Sequence, residues 1–263
     1  MTDYITVIGT QRSGTTVLRA LLEEHANISA FGEVFLGRHA HMKECYYHFL
    51  KERVKDDIGL IIPSEQNSVQ LFDDYLTYLD TIKSPDSDYL LFDCKYNFLQ
   101  GALSTGEHNW SQAPFLLRQF IRRNFKIIHI VRENVLATYV SSLLSMKNQV
   151  WATSDASRIK HRSAEVPTDG LAQTLARRTQ EHQHFKQMLA RANCLTVIYE
   201  KMFDGENFAP AFLQETESFL GIKGLPKKPS LIKIAPPLAQ SIENFDEVKK
   251  VLTGTEFEAL LAG

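Results

Sequence analysis

Six consecutive residues, Gln11, Arg12, Ser13, Gly14, Thr15 and Thr16, put one cation, one glycine and three hydroxyls into a single short stretch. They follow the apolar run Tyr4-Ile5-Thr6-Val7-Ile8-Gly9 and lead into a helical pattern. A strand, a tight polar turn and a helix together make an anion site. The first amides of the helix have no intrahelical partner, the helix dipole favours negative charge there, and Arg12 and the hydroxyls add donors. A Walker A loop would carry lysine after its last glycine, and Thr15 stands there. The stretch suits a terminal phosphate or sulfate rather than a wrapped triphosphate. A second cation, Arg132, directly follows the run Phe125-Lys126-Ile127-Ile128-His129-Ile130-Val131. A guanidinium leaving a strand end can grip phosphate through a bidentate fork, and Ser141 falls about two helical turns later on a face that can return to the same ligand. Two anion sites on neighbouring strand ends predict a ligand with phosphates at two positions.

These residues need a sheet to hold them. Strands are predicted at Tyr4–Gly9, Ile28–Phe31, Tyr89–Cys94, Phe125–Val131 and Cys194–Tyr199. Helices are predicted at Thr15–Glu24, Asn134–Lys147, Gly170–Ala192, Phe208–Leu220 and Asp246–Leu261, by apolar spacings of three and four. Residues 38–88 read as a helical insertion, with segments at Cys45–Val54 and Val69–Ile82. Val150–Thr168 reads as a mobile polar loop and Lys223–Pro237 as a basic, proline-containing one. Strands alternating with helices give parallel βαβ units, hence an α/β fold in three layers with ligands at the carboxyl ends of the strands. Residues 1–263 are taken as a single domain.

The bulk properties narrow the function. With 29 basic and 31 acidic side chains the net charge is −2, so nothing global favours nucleic acid and the anion sites must be local. No apolar run reaches the length of a membrane span and no signal pattern precedes the first strand, so a cytoplasmic protein is expected. Cys45, Cys94 and Cys194 are odd in number and far apart, which fits a reducing compartment and neither a disulfide framework nor a zinc site.

The chain resembles the sulfotransferases that use 3′-phosphoadenosine 5′-phosphosulfate (PAPS). Their Arg/Lys-Ser-Gly-Thr-Thr loop is matched by Arg12–Thr16, and their 3′-phosphate site by Arg132 and Ser141. Glu24-His25-Ala26-Asn27-Ile28, Gly32-Glu33, Cys94-Lys95-Tyr96-Asn97, Ile198-Tyr199-Glu200-Lys201 and Ile242-Glu243-Asn244-Phe245 look nearest to the bacterial carbohydrate enzymes of the nodulation-factor type. The resemblance implies a P-loop-kinase-like fold, PAPS as sulfuryl donor without a metal, and a hydroxylated small-molecule acceptor such as a carbohydrate or glycolipid. It implies that Gln11, Arg12, Ser13, Gly14, Thr15, Thr16, Arg132, Ser141 and Tyr199 bind the nucleotide. Arg12 is assigned to the leaving phosphate and Lys95 to the moving sulfuryl group.

Asn97 replaces the histidine of the family's Lys-x-His element and cannot accept a proton as a base. Glu33 is the replacement base by elimination and position. His129 reads as a core residue and His25 as a helix-end residue; Tyr199 and Glu200 could flank adenine, and Asn244 and Phe245 could line the nucleotide. Aromatic residues from Phe35 to Tyr78 are expected to wall the acceptor site. The rival readings are a nucleotide-dependent kinase, disfavoured by the missing Walker lysine, and a non-catalytic nucleotide-binding module. A homodimer is compatible with the sequence, which leaves the oligomeric state open.

Overall fold

The computed structural model describes residues 2–101, 113–232 and 235–262. Five strands, β1 (Asp3–Gly9), β2 (Ile28–Ala30), β3 (Tyr89–Lys95), β4 (Lys126–Val131) and β5 (Cys194–Ile198), form one parallel sheet in the order β2-β3-β1-β4-β5. Helices cover both faces, which is why the strands read as nearly continuous apolar runs. Along β1 and β3 the side chains alternate between two cores. Ile8, Phe92 and Cys94 point to one side, against α3 (Glu65–Ile82), α5 (Phe115–Arg122) and α7 (Leu171–Leu189). Ile5, Val7 and Leu91 point to the other, against α1 (Thr15–Glu23) and α8 (Pro210–Leu220). The expected three-layer α/β architecture is the one observed.

The chain leaves β1 for the edge at β2, returns to β3, and then crosses to β4 on the far side of β1. Such a reversal opens a crevice at the carboxyl ends of the strands. The loops after β1, β3 and β4 all open onto that end. So do α4 (Tyr96–Gly101), which starts where β3 stops, and α6 (Val135–Asn148), capped by Asn134 Oδ1 accepting the Ala137 amide at 2.8 Å.

Between β2 and β3 lie α2 (Tyr46–Asp56) and α3, as the helical pattern anticipated. Their aromatic rings do not face the site. Phe35, Tyr46, Phe49 and Tyr75 are buried and pack on one another and on Phe92, and Phe72 is buried against Phe120 and Phe125, so the expected aromatic acceptor wall is absent from these residues. The final helix is also shorter than expected. It ends as α10 (Phe245–Leu252), the chain turns through Gly254 at φ +76°, and a separate 3₁₀ turn covers Glu258–Ala262. Apolar spacing continued across that turn because Leu252 and Phe257 are both buried in one cluster. The loop after α6 is polar but not free-standing: Ala164 bridges to Ile242, and Val166 is fully buried. Residues 233 and 234 of the expected basic loop lie outside the described residues. A two-strand hairpin, β6 (Phe203–Asp204) with β7 (Asn207–Phe208), and α9 (Leu238–Ser241) complete the described elements. Among the described residues no helix is long and apolar enough to cross a membrane, and no group of His, Cys, Asp and Glu is arranged to hold a metal.

Candidate active site

The turn after β1 is closed by its own serine. The hydroxyl and the amide of Ser13 both donate to the Thr10 carbonyl, at 2.8 and 3.3 Å, so Ser13 shapes the loop from a buried position. Arg12 adopts φ +68°, a left-handed conformation uncommon for a residue with a side chain, and Gly14 adopts φ +104°. Gly14 could carry no side chain, because an added Cβ would lie 2.5 Å from the Tyr199 ring. Gly9 is constrained in the same way by Ser13 Oγ and the Ile130 carbonyl. The two glycines have the spacing of a Walker loop, with Thr15 where its lysine would be. Gly14 gives α1 no side-chain cap, and the first intrahelical bond runs from the Leu18 amide to the Gly14 carbonyl. The first-turn amides therefore face the crevice without helical partners.

A cavity opens in front of that turn, lined by Arg12, Gly14, Thr15 and Thr16 from the loop, Arg132 and Ser141 from the β4–α6 unit, and Tyr199 after β5. Trp151, Leu231 and Ile232 close its remaining sides. The residues predicted to form two anion sites thus share one cavity, and no carboxylate is among its described lining residues. Arg12 Nε donates to Ser141 Oγ at 3.2 Å, and its Nη1 donates to the Trp151 carbonyl. Arg132 Nη1 donates to the Arg12 carbonyl at 3.3 Å, and its guanidinium lies 4.6 Å from the centre of the Tyr199 ring. Its Nε is buried without a partner among the described residues. Burial, and then the like charge of Arg132, push the Arg12 guanidinium down to about 10; burial also lowers Arg132. Both remain cations at neutral pH, crowded and dehydrated, in a pocket where an anion would relieve them.

Lys95 and Glu33 lie on the other side of Thr15. Lys95, at the end of β3, is buried, and its Nζ donates to Thr15 Oγ1 and to Asp93 Oδ2 and lies 3.3 Å from Glu33 Oε1. Glu33 follows β2 and remains partly exposed, beside a small pocket it shares with Gly32, His39 and Met42. Asp93 was not foreseen. It stands two residues before Lys95 on a strand, hence on the same face, and that Asp-x-Lys spacing was its signal. Burial raises the Asp93 carboxyl even though Lys95 pulls it down. Because Lys95 donates to Thr15 Oγ1, the Thr15 hydroxyl hydrogen is free to point into the anion cavity.

Other predicted residues are occupied elsewhere. Gln11 faces a second, larger groove that Asn97 also lines. Glu200 accepts the amides of Glu133 and Asn134, both at 3.1 Å, and so ties down the start of α6 rather than flanking a base. Asn244 holds Val166 through both its amide and its carbonyl, and does not line the cavity of Arg12 and Arg132. His129 is fully buried against the Tyr96 hydroxyl at 2.6 Å, and burial pushes it down to about 4, as befits a core residue. His25 Nδ1 accepts the Asn27 amide at 3.2 Å and shapes the turn after α1.

A family model described as "Sulfotransferase family" matches residues 4–207, which contain the loop, Glu33, Lys95, Arg132, Ser141 and Tyr199. The chain belongs to the sulfotransferase family. A crystal structure of a sulfotransferase from Alicyclobacillus acidocaldarius is similar over 99% of this chain and 96% of that one, with 14% identity and a TM-score of 0.46. At that level the likeness adds nothing on substrate or mechanism. No curated protein matches the chain. Membership makes this sulfotransferase a transferase enzyme, with the anion cavity at the end of the sheet where its ligand-binding loops converge.

Proposed function

We propose that this sulfotransferase moves a sulfuryl group from PAPS to a hydroxyl of a carbohydrate or glycolipid acceptor, without a metal, in the cytoplasm. The observation that supports this reading most is the cavity holding Arg12 and Arg132 with no carboxylate among its described lining residues. Arg132 has an unpartnered buried Nε, and it stands with Ser141 where a 3′-phosphate would be gripped. The first-turn amides, Thr15, Thr16 and Arg12 would hold the 5′-phosphosulfate, which supplies the activated sulfuryl group. Arg12 would exchange the Trp151 carbonyl for that anion. Tyr199 backs the Arg132 guanidinium and, with Trp151 and Ile232, offers flat or apolar surface for the nucleoside.

Lys95 would neutralise charge on the moving group, and Glu33 would accept the acceptor's proton. Their contact at 3.3 Å keeps acid–base and electrostatic groups within one loop of the leaving phosphate. Positioning and charge stabilisation would supply most of the rate, as in phosphoryl transfer.

Thermal shift with adenosine 3′,5′-bisphosphate, adenosine 5′-monophosphate and ATP tests donor recognition, since a ligand of the native state raises the melting temperature according to its affinity. The bisphosphate is expected to give the largest shift. Equal shifts for the bisphosphate and the monophosphate would refute recognition of a 3′-phosphate. A second reading, a nucleotide-binding module without turnover, draws on Lys95 being already compensated by Asp93 and Glu33. Transfer of radiolabelled sulfate from PAPS to a glycan panel separates the two: label on any glycan ends the module reading.

A further inference from the structure

On the other side of the anion loop lies an open groove of about 1730 Å³, between the β1–α1 turn, the start of α4, and the facing sides of α6 and α7. We propose that this groove takes the acceptor and selects one bearing an anionic group (a carboxylate, sulfate or phosphate), gripped by Arg177 and Arg178. The inference rests on the sulfuryl-transfer reading for the groove's role and on the groove's own chemistry for the charge of its occupant.

Adjacency comes first. Gln11 lines the groove while Arg12 lines the anion cavity, and Ser142 lines the groove while Ser141 lines the cavity. Two consecutive residues of a loop and two of a helix therefore form the wall between the two compartments. Asn97, also on the groove, is two residues beyond Lys95.

Charge decides the occupant. Arg177 and Arg178 both line the groove, and neither forms a salt bridge among the described residues. Arg178 is partly buried, and its Nε has no partner among the described residues. Its guanidinium sits 5.4 Å from the Tyr139 ring centre, a contact that fixes its plane and leaves its edge for a ligand. Burial lowers its proton affinity, a cost that a bound anion would offset. Glu181 is the one carboxylate among the described lining residues, so two guanidiniums still leave the groove positive. Gln11, Asn97, Gln180 and Glu181 can match sugar hydroxyls, and the pair of guanidiniums adds the chemistry that favours an acidic sugar over a neutral one.

The test uses the full chain and three matched pairs: p-nitrophenyl β-glucuronide against the β-glucoside, glucose 6-sulfate against glucose, and glucose 6-phosphate against glucose. Calorimetric affinities are measured with adenosine 3′,5′-bisphosphate present and again without nucleotide. At least one anionic member is expected to bind about ten-fold more tightly than its neutral partner. Which pair responds identifies carboxylate, sulfate or phosphate. Arg177→Glu, at an exposed position, and Arg178→Gln should each reduce that preference to about two-fold or less, with Arg178→Lys keeping part of it. Their bisphosphate-induced melting shift should be unchanged, which shows that both variants fold. No preference in any pair, or a preference that survives both variants, overturns the proposal. A wild-type protein that ignores the bisphosphate but keeps the preference refutes the donor reading alone.

Discussion

The cavity around Arg12 and Arg132 and the cluster around Lys95 lie on either side of Thr15, and they treat positive charge in opposite ways. In the first, two guanidiniums crowd together with no carboxylate among the described lining residues. In the second, one ammonium is held by Asp93, Glu33 and Thr15 at once. An uncompensated cation pair stores affinity for an anion that has yet to arrive. A compensated cation is held in place, and its own charge is answered before any ligand binds. On the proposed reading, the first region binds the ligand and the second positions and handles the proton.

The largest expected effect would break the assignment of the second region. Glu33→Gln keeps size and hydrogen bonding but cannot take a proton. Turnover with radiolabelled PAPS should fall about 10²–10⁴-fold, with the bisphosphate melting shift retained. Normal turnover would remove Glu33 from the chemistry.

Next comes the buried pair. Lys95→Met leaves the Asp93 carboxylate buried opposite an apolar chain, at a cost of about 3–5 kcal/mol in urea denaturation. Lys95→Met combined with Asp93→Leu should recover most of that loss. If the single and double variants are equally unstable, Asp93 and Lys95 are not a coupled pair.

The first region predicts a smaller, selective loss. Arg132→Ala should weaken adenosine 3′,5′-bisphosphate by about 1.5–3 kcal/mol and leave adenosine 5′-monophosphate nearly unchanged. Equal losses for both nucleotides would return Arg132 to a general electrostatic role.

The smallest effect lies in neither region. His129 and His182, packed around Tyr96, are both pushed down to about 4, chiefly by burial. Between the ordinary histidine value and that one, the unfolded chain binds protons that the fold refuses. Stability is therefore full above the ordinary value and is lost as pH falls towards 4. The expected loss is about 1.4 kcal/mol per histidine at pH 5.5, read from urea midpoints at pH 7.5 and 5.5. A flat profile would show that both rings titrate freely in the native state, and half the expected loss would show that one of them does.

Much of the first region was legible in the residues. β-Branched runs with polar turns at their ends placed β1 and β4, and Arg12, Arg132 and Ser141 followed from position on those elements. The second region was half legible. Lys95 and Glu33 were singled out, but Asp93 passed as part of an apolar strand, although its spacing from Lys95 put both on one face. The aromatic wall misled for a related reason. Phe72, Tyr75, Leu76 and Leu79 repeat at helical spacing, which marks a stripe turned inward, and composition alone hid that direction. The groove's arginines were read only as part of a long helix. Their meaning depends on which strand ends α7 passes, and that is set by the sheet order rather than by anything local.

The contact between Gly14 and Tyr199 has a mechanical consequence. The ring fills the space a methyl would need at residue 14, and its face carries the Arg132 guanidinium. The aromatic ring thus touches both Gly14 of the loop and the Arg132 guanidinium, the two halves of the grip proposed for the nucleotide. If the proposed donor binds here, the spacing between the grips on its two anionic ends would be set by one ring rather than adjusted at each end independently.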